Sequence, residues 1–599
     1  MQIRLTLLRA IGHCKQVNAQ LNAVRSASYQ CQLNNRRCYS DRAYFHQVGN
    51  EPLLYRTLGQ QVQISASKYG ERPALISRHE NKRYTFAEIK NEAENLAVKL
   101  NELGMQRGDH LGLWITNNSQ WYITYLAAAL AGYTVACINP ALQAQEIAYA
   151  LKKARVKTLV TKANCGLQDF CGILKELLPS ASLNGRGPID DPKFPYLRHV
   201  VVQSDAPLSE FLSWEELSRS KADLQDISAL NKNVELIAPE SGCNIQFTSG
   251  TTGVPKVALL SHFSYLNQGH QFGFFYELHK SHKTICLTLP FFHIFGLSVV
   301  MSALSHGATL VLPSPRFDSV AALESVAAEG CNMIFGTPTM YVDLLEKQRE
   351  LNKPIHTLET GIVGGAACTP EIYTQTKKMF ALKNFYIGYG MSENSAASFM
   401  QDGTESEEEA AQTVGRLLQH AEAKVIDDKG ETVRFGEVGE LCVRGYFVMT
   451  EYYDDVEKTK EVLDKHGWLK TGDTFILEPN GVGRILGRKK DVIIRGGENV
   501  FPKEIEDYLD THVDIIEAQV IGIPDKRMGE EICAYLRLRS GAKELTVDEV
   551  KNFCKGKIAH FKVPRYVRFV DEYPKTTSGK IQKFELLNMF NKELKSSEN

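Results

Sequence analysis

The chain has 599 residues, too many for one simple domain, and its 43 % hydrophobic and 23 % charged content is that of an ordinary globular protein. A net charge of -1 leaves no electrostatic footprint for nucleic acid or an anionic membrane. Thirteen cysteines, an odd number without a C-x-x-C pair, argue against a disulfide framework and a zinc site, and fit a chain that works with reduced thiols.

Arg4, Arg9, Lys15, Arg25, Arg36 and Arg37 all precede the first acidic residue, Asp41, with Ser, Asn and Gln between them and no long apolar core. That composition predicts a mitochondrial transit peptide over residues 1–45, processed near RRCYS at Arg36–Ser40, and a location in the mitochondrial matrix. From about residue 55 to 480, helical patterns alternate with short β-rich runs: a helix around Thr85–Leu103, a strand from His110, a helix after Asn118 and a strand from Thr158. Alternation of this kind predicts an α/β fold with largely parallel sheets. The least polar stretches, Tyr122–Ile138 and Leu297–Leu312, are interrupted by Gly, Thr, Ser or His and read as buried elements, not membrane spans.

The segment Gln246–His262, QFTSGTTGVPKVALLSH, holds small hydroxyl residues and glycines over Thr248, Ser249, Gly250, Thr251, Thr252 and Gly253, followed by Pro255 and Lys256. Such a loop leaves its backbone N–H groups open to a phosphate. It is not a Walker loop, because Val257 stands where the magnesium-binding hydroxyl belongs and a second apolar run, Val257–Leu260, follows in place of a helix. Taken alone, a turn-rich surface hairpin is an equal reading.

The acidic run Glu405–Glu409 reads as a solvated loop, and GVGRILG from Gly481 lacks both the spacing and the following helix of a dinucleotide fingerprint. Beyond residue 490 the pattern becomes compact α+β. Pro502 opens a helix, strands follow at Ala518–Ile523 and Ile532–Leu538, Thr546 and Glu549 form a capping box, and Val567 begins another strand. The chain therefore divides into a large domain over 46–489 and a small one over 490–599, hinged near GRKKDVIIRGG.

Taken together, TSGTTG with its Pro-Lys, YGMSE at Tyr389–Glu393, TGD at Thr471–Asp473, GRKKDVIIRGGENVFPKEIE from Gly487 and PKTTSGKIQK from Pro574 resemble, in order, the signatures of the adenylate-forming superfamily of acyl-CoA synthetases, luciferases and peptide-synthetase adenylation domains. The resemblance spans Thr248–Lys583. It implies a fatty acid:CoA ligase that uses ATP, Mg²⁺ and CoA: a carboxylate attacks the α-phosphorus of ATP, and a thiol then attacks the acyl-adenylate.

By this resemblance residues 248–253 and Lys256 cradle the β- and γ-phosphates, and Glu393 approaches magnesium. Asp473 and Arg488 contact the ribose, and Gly364, Gly365 and Tyr389 line the adenine pocket. Lys580 is the catalytic lysine. Gly496, Gly497 and Glu498 border the pantetheine tunnel after the small domain pivots at Lys490 or, preferably, Asp491. His293, in PFFHIFG, borders the acyl pocket with Phe292, Phe295, Val299 and Met391, an apolar setting for an aliphatic or aryl acid. Medium chain length follows from the resemblance and not from the residues. Two departures matter: Val257 replaces a usual glycine and could weaken ATP binding, and Ser392 replaces a threonine. The first of these keeps open a nucleotide-binding protein without catalysis.

Overall fold

The computed structural model describes residues 41–166, 168–178, 187–206, 208–248, 255–366, 368–496, 498–539, 541–542, 545–576 and 580–597. The expected leader up to residue 40, with its processing segment, lies outside the described residues. Among those described, the large domain contains four sheets of eight, nine, five and two strands, and the small domain one sheet of five.

The predicted elements appear close to their expected bounds. Thr85 caps the helix Phe86–Glu102 through a capping box, and Asn118 caps the helix Ser119–Ala131 by accepting from the Trp121 N–H. The strands His110–Trp114 and Val156–Lys162 pair in parallel, and Thr134–Cys137 continues the sheet on the far side of His110–Trp114. Parallel strands need helical crossovers; Ser119–Ala131 packs into the main apolar core, whereas the crossover helix Ala144–Lys153 packs into a second apolar cluster with Trp114 and Ile245. No helix among the described residues is long and apolar enough to cross a membrane.

The five-stranded sheet departs from the parallel expectation. Ala421–Ile426, Val438–Gly445, Leu469–Leu477 and Gly483–Arg488 pair antiparallel in succession. Its outer edge is completed by Tyr44–Gln47, which runs antiparallel to Ala421–Ile426. Ala43 is fully buried, and Tyr44 donates to Glu422 at 2.6 Å. A cut after residue 45 would therefore divide an integral strand. The acidic run also differs from expectation: Ser406 accepts from the Glu409 N–H and caps a short helix, Glu407–Gln412.

In the small domain, Pro502 begins the helix Pro502–Leu509, and Ile515–Asp525 and Gly529–Leu538 form its central antiparallel pair. The Thr546–Glu549 capping box is present, and Tyr566–Phe569 joins the sheet in parallel. A single 3-10 turn, Lys489–Asp491, links the two domains between Gly483–Arg488 and Ile493–Arg495. A link this short moves by a few backbone rotations, as a hinge requires.

Candidate active site

The glycine-rich loop sits between two paired strands. Gly242–Thr248 and Lys256–Ser261 run antiparallel, with Thr248 opposite Lys256 and Phe247 opposite Val257. Ser261 then caps the helix His262–Phe275, as the sequence pattern requires. Ser249, Gly250, Thr251, Thr252 and Gly253 lie outside the described residues. At the loop's entrance the Thr248 hydroxyl is buried without a hydrogen-bond partner among the described residues, the condition of a polar group that awaits a ligand donor or acceptor.

Val257 faces the core. Its side chain is 1 % exposed and packs in an apolar cluster with Ile245, Ile147 and Trp114, while its carbonyl accepts from Tyr453 N–H at 2.7 Å. The valine is therefore a core residue. Val257→Gly is expected to lower unfolding free energy by about 2–3 kcal/mol through cavity formation and backbone freedom, measurable by denaturant titration. Its KM for ATP should change less than about threefold, because the lost methyls line the core.

The Lys256 ammonium lies 4.8 Å from the centre of the Tyr452 ring, and Tyr452 donates to Glu393 at 2.8 Å. Three elements thus bring a cation and a carboxylate to one tyrosine that sequence reasoning did not single out. Glu393 is nearly buried in the turn Ser392–Asn394, and its own carbonyl is held by Met449 N–H at 2.8 Å. No group of three His, Cys, Asp or Glu among the described residues could hold a metal ion. Magnesium borne by a triphosphate needs only one or two protein carboxylates, and Glu393, with one oxygen on Tyr452, fits that demand.

Asp473 and Arg488 face each other across neighbouring strands, with Asp473 Oδ1 2.9 Å from Arg488 Nε. The contact is an ion pair without good hydrogen-bond alignment, since that same oxygen has no hydrogen-bond partner among the described residues. Tyr389 donates to the other oxygen at 2.5 Å, so its hydroxyl is engaged with the expected ribose carboxylate. Burial raises the Asp473 pKa, opposed by Arg488, Tyr389 and Lys580. Gly364 and Gly365 follow the strand Thr360–Val363. A Cβ on Gly364 would come within 3.1 Å of the Gly388 carbonyl and 3.5 Å of Phe295, and Gly365 has φ +82°. A side chain there would be strained or crowded, whereas a flat base can approach bare backbone.

Lys580 comes from the small domain. Its N–H donates to Thr576 Oγ1 at 3.0 Å and its carbonyl accepts from Thr576 N–H at 2.7 Å, which ties Lys580 to Thr576. Lys580 is exposed as a residue, yet burial at the cleft, the largest cause, lowers its ammonium pKa. Arg488 adds to this lowering, Asp473 and Asp491 oppose it, and Lys490 adds further. Those neighbours place Lys580 among the residues expected to hold the nucleotide.

His293 caps the buried helix Ile294–His306, and its Nδ1 accepts from Phe295 N–H at 3.2 Å. Its Nε2 is thereby the protonated nitrogen of the neutral ring. Burial, then Lys580, lowers its pKa to about 4. The pH profile of adenylation should consequently show no histidine limb near 6.5. Its alkaline limb should fall below the usual lysine value of 10.5, because Lys580 must be protonated and its pKa is depressed; Lys580→Arg should move that limb upward.

Phe292 and Phe295 are half-buried beside His293, Met391 is half-buried, and Val299 is buried. Gly496, with φ +61°, donates to the Met528 carbonyl at 2.7 Å, Glu498 is exposed on Glu498–Val500, and Gly497 lies outside the described residues. Among the described contacts, neither Gly496 nor Glu498 meets the cleft residues. Among the described residues, the small domain presents Lys580 to the cleft in this arrangement, not Gly496 or Glu498.

A family model described as AMP-binding enzyme matches residues 62–453, and a second, AMP-binding enzyme C-terminal domain, matches 504–580. The chain belongs to the AMP-binding enzyme family. It is 39 % identical over 557 residues to the human mitochondrial medium-chain acyl-CoA ligase ACSF2, covering 92 % of this chain and 90 % of that one. A putative acyl-CoA synthetase, YngI, of Bacillus subtilis is 34 % identical over 545 residues, covering 90 % and 98 %. Among solved structures, the anthranilate CoA ligase AuaEII in complex with anthranoyl-AMP superposes with a TM-score of 0.79 at 24 % identity, covering 92 % of this chain and 99 % of that one. ATP-bound MatB from Rhodopseudomonas palustris superposes with a TM-score of 0.76 at 24 % identity, covering 90 % and 99 %. These two likenesses bear on the fold alone.

Proposed function

We propose that this AMP-binding enzyme is a mitochondrial, AMP-forming fatty acid:CoA ligase whose preferred acid is of medium chain length. The observation that carries this reading is the convergence of Lys580 from the small domain on Asp473, Arg488 and His293 of the large one. Agreement with medium-chain ligases over nine-tenths of the chain supports the acid class.

In the first half-reaction a carboxylate oxygen of the acid bonds to the α-phosphorus of ATP, the bond from that phosphorus to the bridging oxygen breaks, and pyrophosphate leaves. Lys256 and the Thr248 hydroxyl stand at the entrance to the phosphate loop, and Glu393 would hold magnesium, which neutralises phosphate charge when bound. Asp473, oriented by Tyr389 and Arg488, accepts from the ribose hydroxyls. Lys580 offers its charge to the substrate carboxylate and the α-phosphate as negative charge redistributes. Neutral His293 would have its Nε2–H free to serve the acyl side. In the second half-reaction the CoA sulfur bonds to the acyl carbon, the bond from that carbon to the AMP oxygen breaks, and the thiol proton passes to solvent. Rotation about Lys489–Asp491 would withdraw Lys580 and bring Gly496, Gly497 and Glu498 to the cleft.

The large domain is assigned to residues 41–489 and the small one to 490–599. A cleavable leader would end before Asp41, which keeps the buried Ala43 and the strand at Tyr44 intact. The basic leader composition and relatives that are themselves mitochondrial support delivery to the matrix.

The deciding assay uses protein lacking residues 1–40 with ATP, magnesium and saturated acids from butanoate to hexadecanoate, with benzoate beside them. Pyrophosphate release should peak with octanoate or decanoate, and CoA addition should yield the acyl-CoA. ATP binding without acid-dependent pyrophosphate release would refute the ligase reading, and a preference for benzoate would refute the acid class.

A further inference from the structure

We propose that Asn117 is a positioning residue: its side-chain amide clamps the turn Leu289–Phe291 and so sets where His293 meets the acyl group. The part played by His293 rests on the ligase reading, while the clamp itself stands on hydrogen bonds within the large domain.

Asn117 lies between the strand His110–Trp114 and the helix Ser119–Ala131, at one end of the eight-stranded sheet. Its backbone N–H donates to the Pro315 carbonyl at 3.1 Å, and the next residue, Asn118, caps the helix. The residue is buried, and its backbone is held before its side chain makes any contact. That side chain reaches the turn that follows the strand Thr284–Leu287 of the nine-stranded sheet. Asn117 Nδ2 donates to the Leu289 carbonyl at 2.8 Å, and Oδ1 accepts from Phe291 N–H at 2.7 Å. An amide places a donor and an acceptor side by side, which matches a carbonyl and an N–H two residues apart.

The clamped turn is the base of the PFFHIFG segment. Pro290, between the two clamped residues, accepts from His293 N–H at 3.3 Å, and a Cβ on Gly296 would fall 2.2 Å from that same carbonyl oxygen. His293 Nδ1 in turn accepts from Phe295 N–H at 3.2 Å. The path from Asn117 to the imidazole is therefore a short run of hydrogen bonds and close backbone contacts. The Phe291 ring is stacked on Trp121 with centroids 4.8 Å apart. That stack holds a ring, and the amide holds the peptides on either side of Pro290.

Leu289 and Phe291 are both buried, so removing the amide takes the partners from a carbonyl and an N–H away from water. The turn shifts to satisfy them and carries His293 with it. In the ligase reading the acid meets His293, whereas ATP is held by Asp473, Arg488 and the loop that begins at Thr248. The shift consequently falls on the acid.

The test compares wild type with Asn117→Leu, which is close in volume but has no donor or acceptor, and with Asn118→Ala, His293→Ala and the double variant N117L/H293A, all in the full chain. Asn117→Ala takes the place of Asn117→Leu should the latter not fold. Asn117→Leu should raise KM for octanoate about 10-fold and lower kcat of adenylation about threefold, with KM for ATP within about twofold of wild type. Asn118→Ala removes the helix cap and not the clamp, so it should lower the melting temperature and leave KM for octanoate within about twofold. The double variant should lose no more than about twofold beyond the worse single one, because both changes act through His293. Hydrogen exchange over residues 288–297 without substrates should be faster in Asn117→Leu and unchanged in Asn118→Ala. An unchanged KM for octanoate, equal rises for octanoate and ATP, the same rise in Asn118→Ala, losses that multiply in the double variant, or unchanged exchange in Asn117→Leu would each overturn the proposal. If wild type forms no acyl-adenylate, the ligase reading falls, and the exchange comparison alone still decides the clamp.

Discussion

Lys580→Ala is expected to lower acyl-adenylate formation at least about 10²-fold while leaving transfer from preformed acyl-adenylate to CoA within about threefold. A unit charge about 4 Å from its partner at an effective dielectric of about 20 interacts by about 4 kcal/mol. Lys580 is exposed as a residue, so the usable difference is smaller, and about 2.7 kcal/mol already corresponds to 10² in rate. The charge is delivered from the small domain beside Asp473 and Arg488, and no other residue of the Thr576–Ile581 hairpin reaches that set among the described contacts. Pyrophosphate release with octanoate measures the first half-reaction, and acyl-CoA formation from synthetic octanoyl-adenylate measures the second. Equal losses in both would remove Lys580 from its assigned step. Lys580→Arg should retain part of the adenylation rate, since the charge remains but the planar guanidinium does not replicate a compact ammonium.

The motifs that carry chemistry were legible because each is local. Thr248–Gly253 and Lys256 border one turn, Tyr389–Glu393 span the end of one strand and the turn after it, and Thr471–Asp473 sit within one strand. Their caps were legible for the same reason, as with Thr85, Asn118 and Thr546. What could not be read was the set of contacts that orients these groups. Tyr389 and Asp473 are 84 positions apart and Glu393 and Tyr452 are 59 apart, so neither hydrogen bond leaves a mark in periodicity or spacing. Tyr389 was accordingly assigned to adenine alone, and Tyr452 was missed. The only sequence signal for Tyr452 was an apolar and aromatic run, Phe447–Tyr453, which any buried strand would show.

Two further differences have the same origin. The leader boundary was placed at 45 by composition, but composition cannot reveal that Tyr44 finds its strand partner, Lys424, 380 residues away. Val257 was weighed against the pattern of a phosphate loop, where a missing glycine suggests steric interference. The strand pairing turns its side chain to the opposite face, and a one-residue offset in a strand decides which face a residue serves. A departure from a motif therefore acquires meaning only once the register is known.

Asp473→Ala is expected to reduce kcat/KM for ATP by about 10³-fold, and Asp473→Asn by about 10², with most of the change in KM. The carboxylate is 2 % exposed and carries three tasks: it accepts from Tyr389, balances Arg488 and faces the expected ribose hydroxyls. Alanine removes all three and leaves the Arg488 charge without its partner. Because about a third of that arginine side chain remains exposed, the cost should be about 2–3 kcal/mol, below that of a fully buried pair. Asparagine preserves the shape and one acceptor but cannot offset the guanidinium. ATP titrations of the initial rate, with melting curves recorded with and without ATP, separate these effects. In Asp473→Ala the melting temperature should drop and the stabilisation by ATP should largely vanish, since a ligand stabilises only in proportion to its affinity for the folded state. A fall in kcat at unchanged KM and unchanged ATP stabilisation would mean that Asp473 acts on the reacting atoms through Lys580 and not on the ribose.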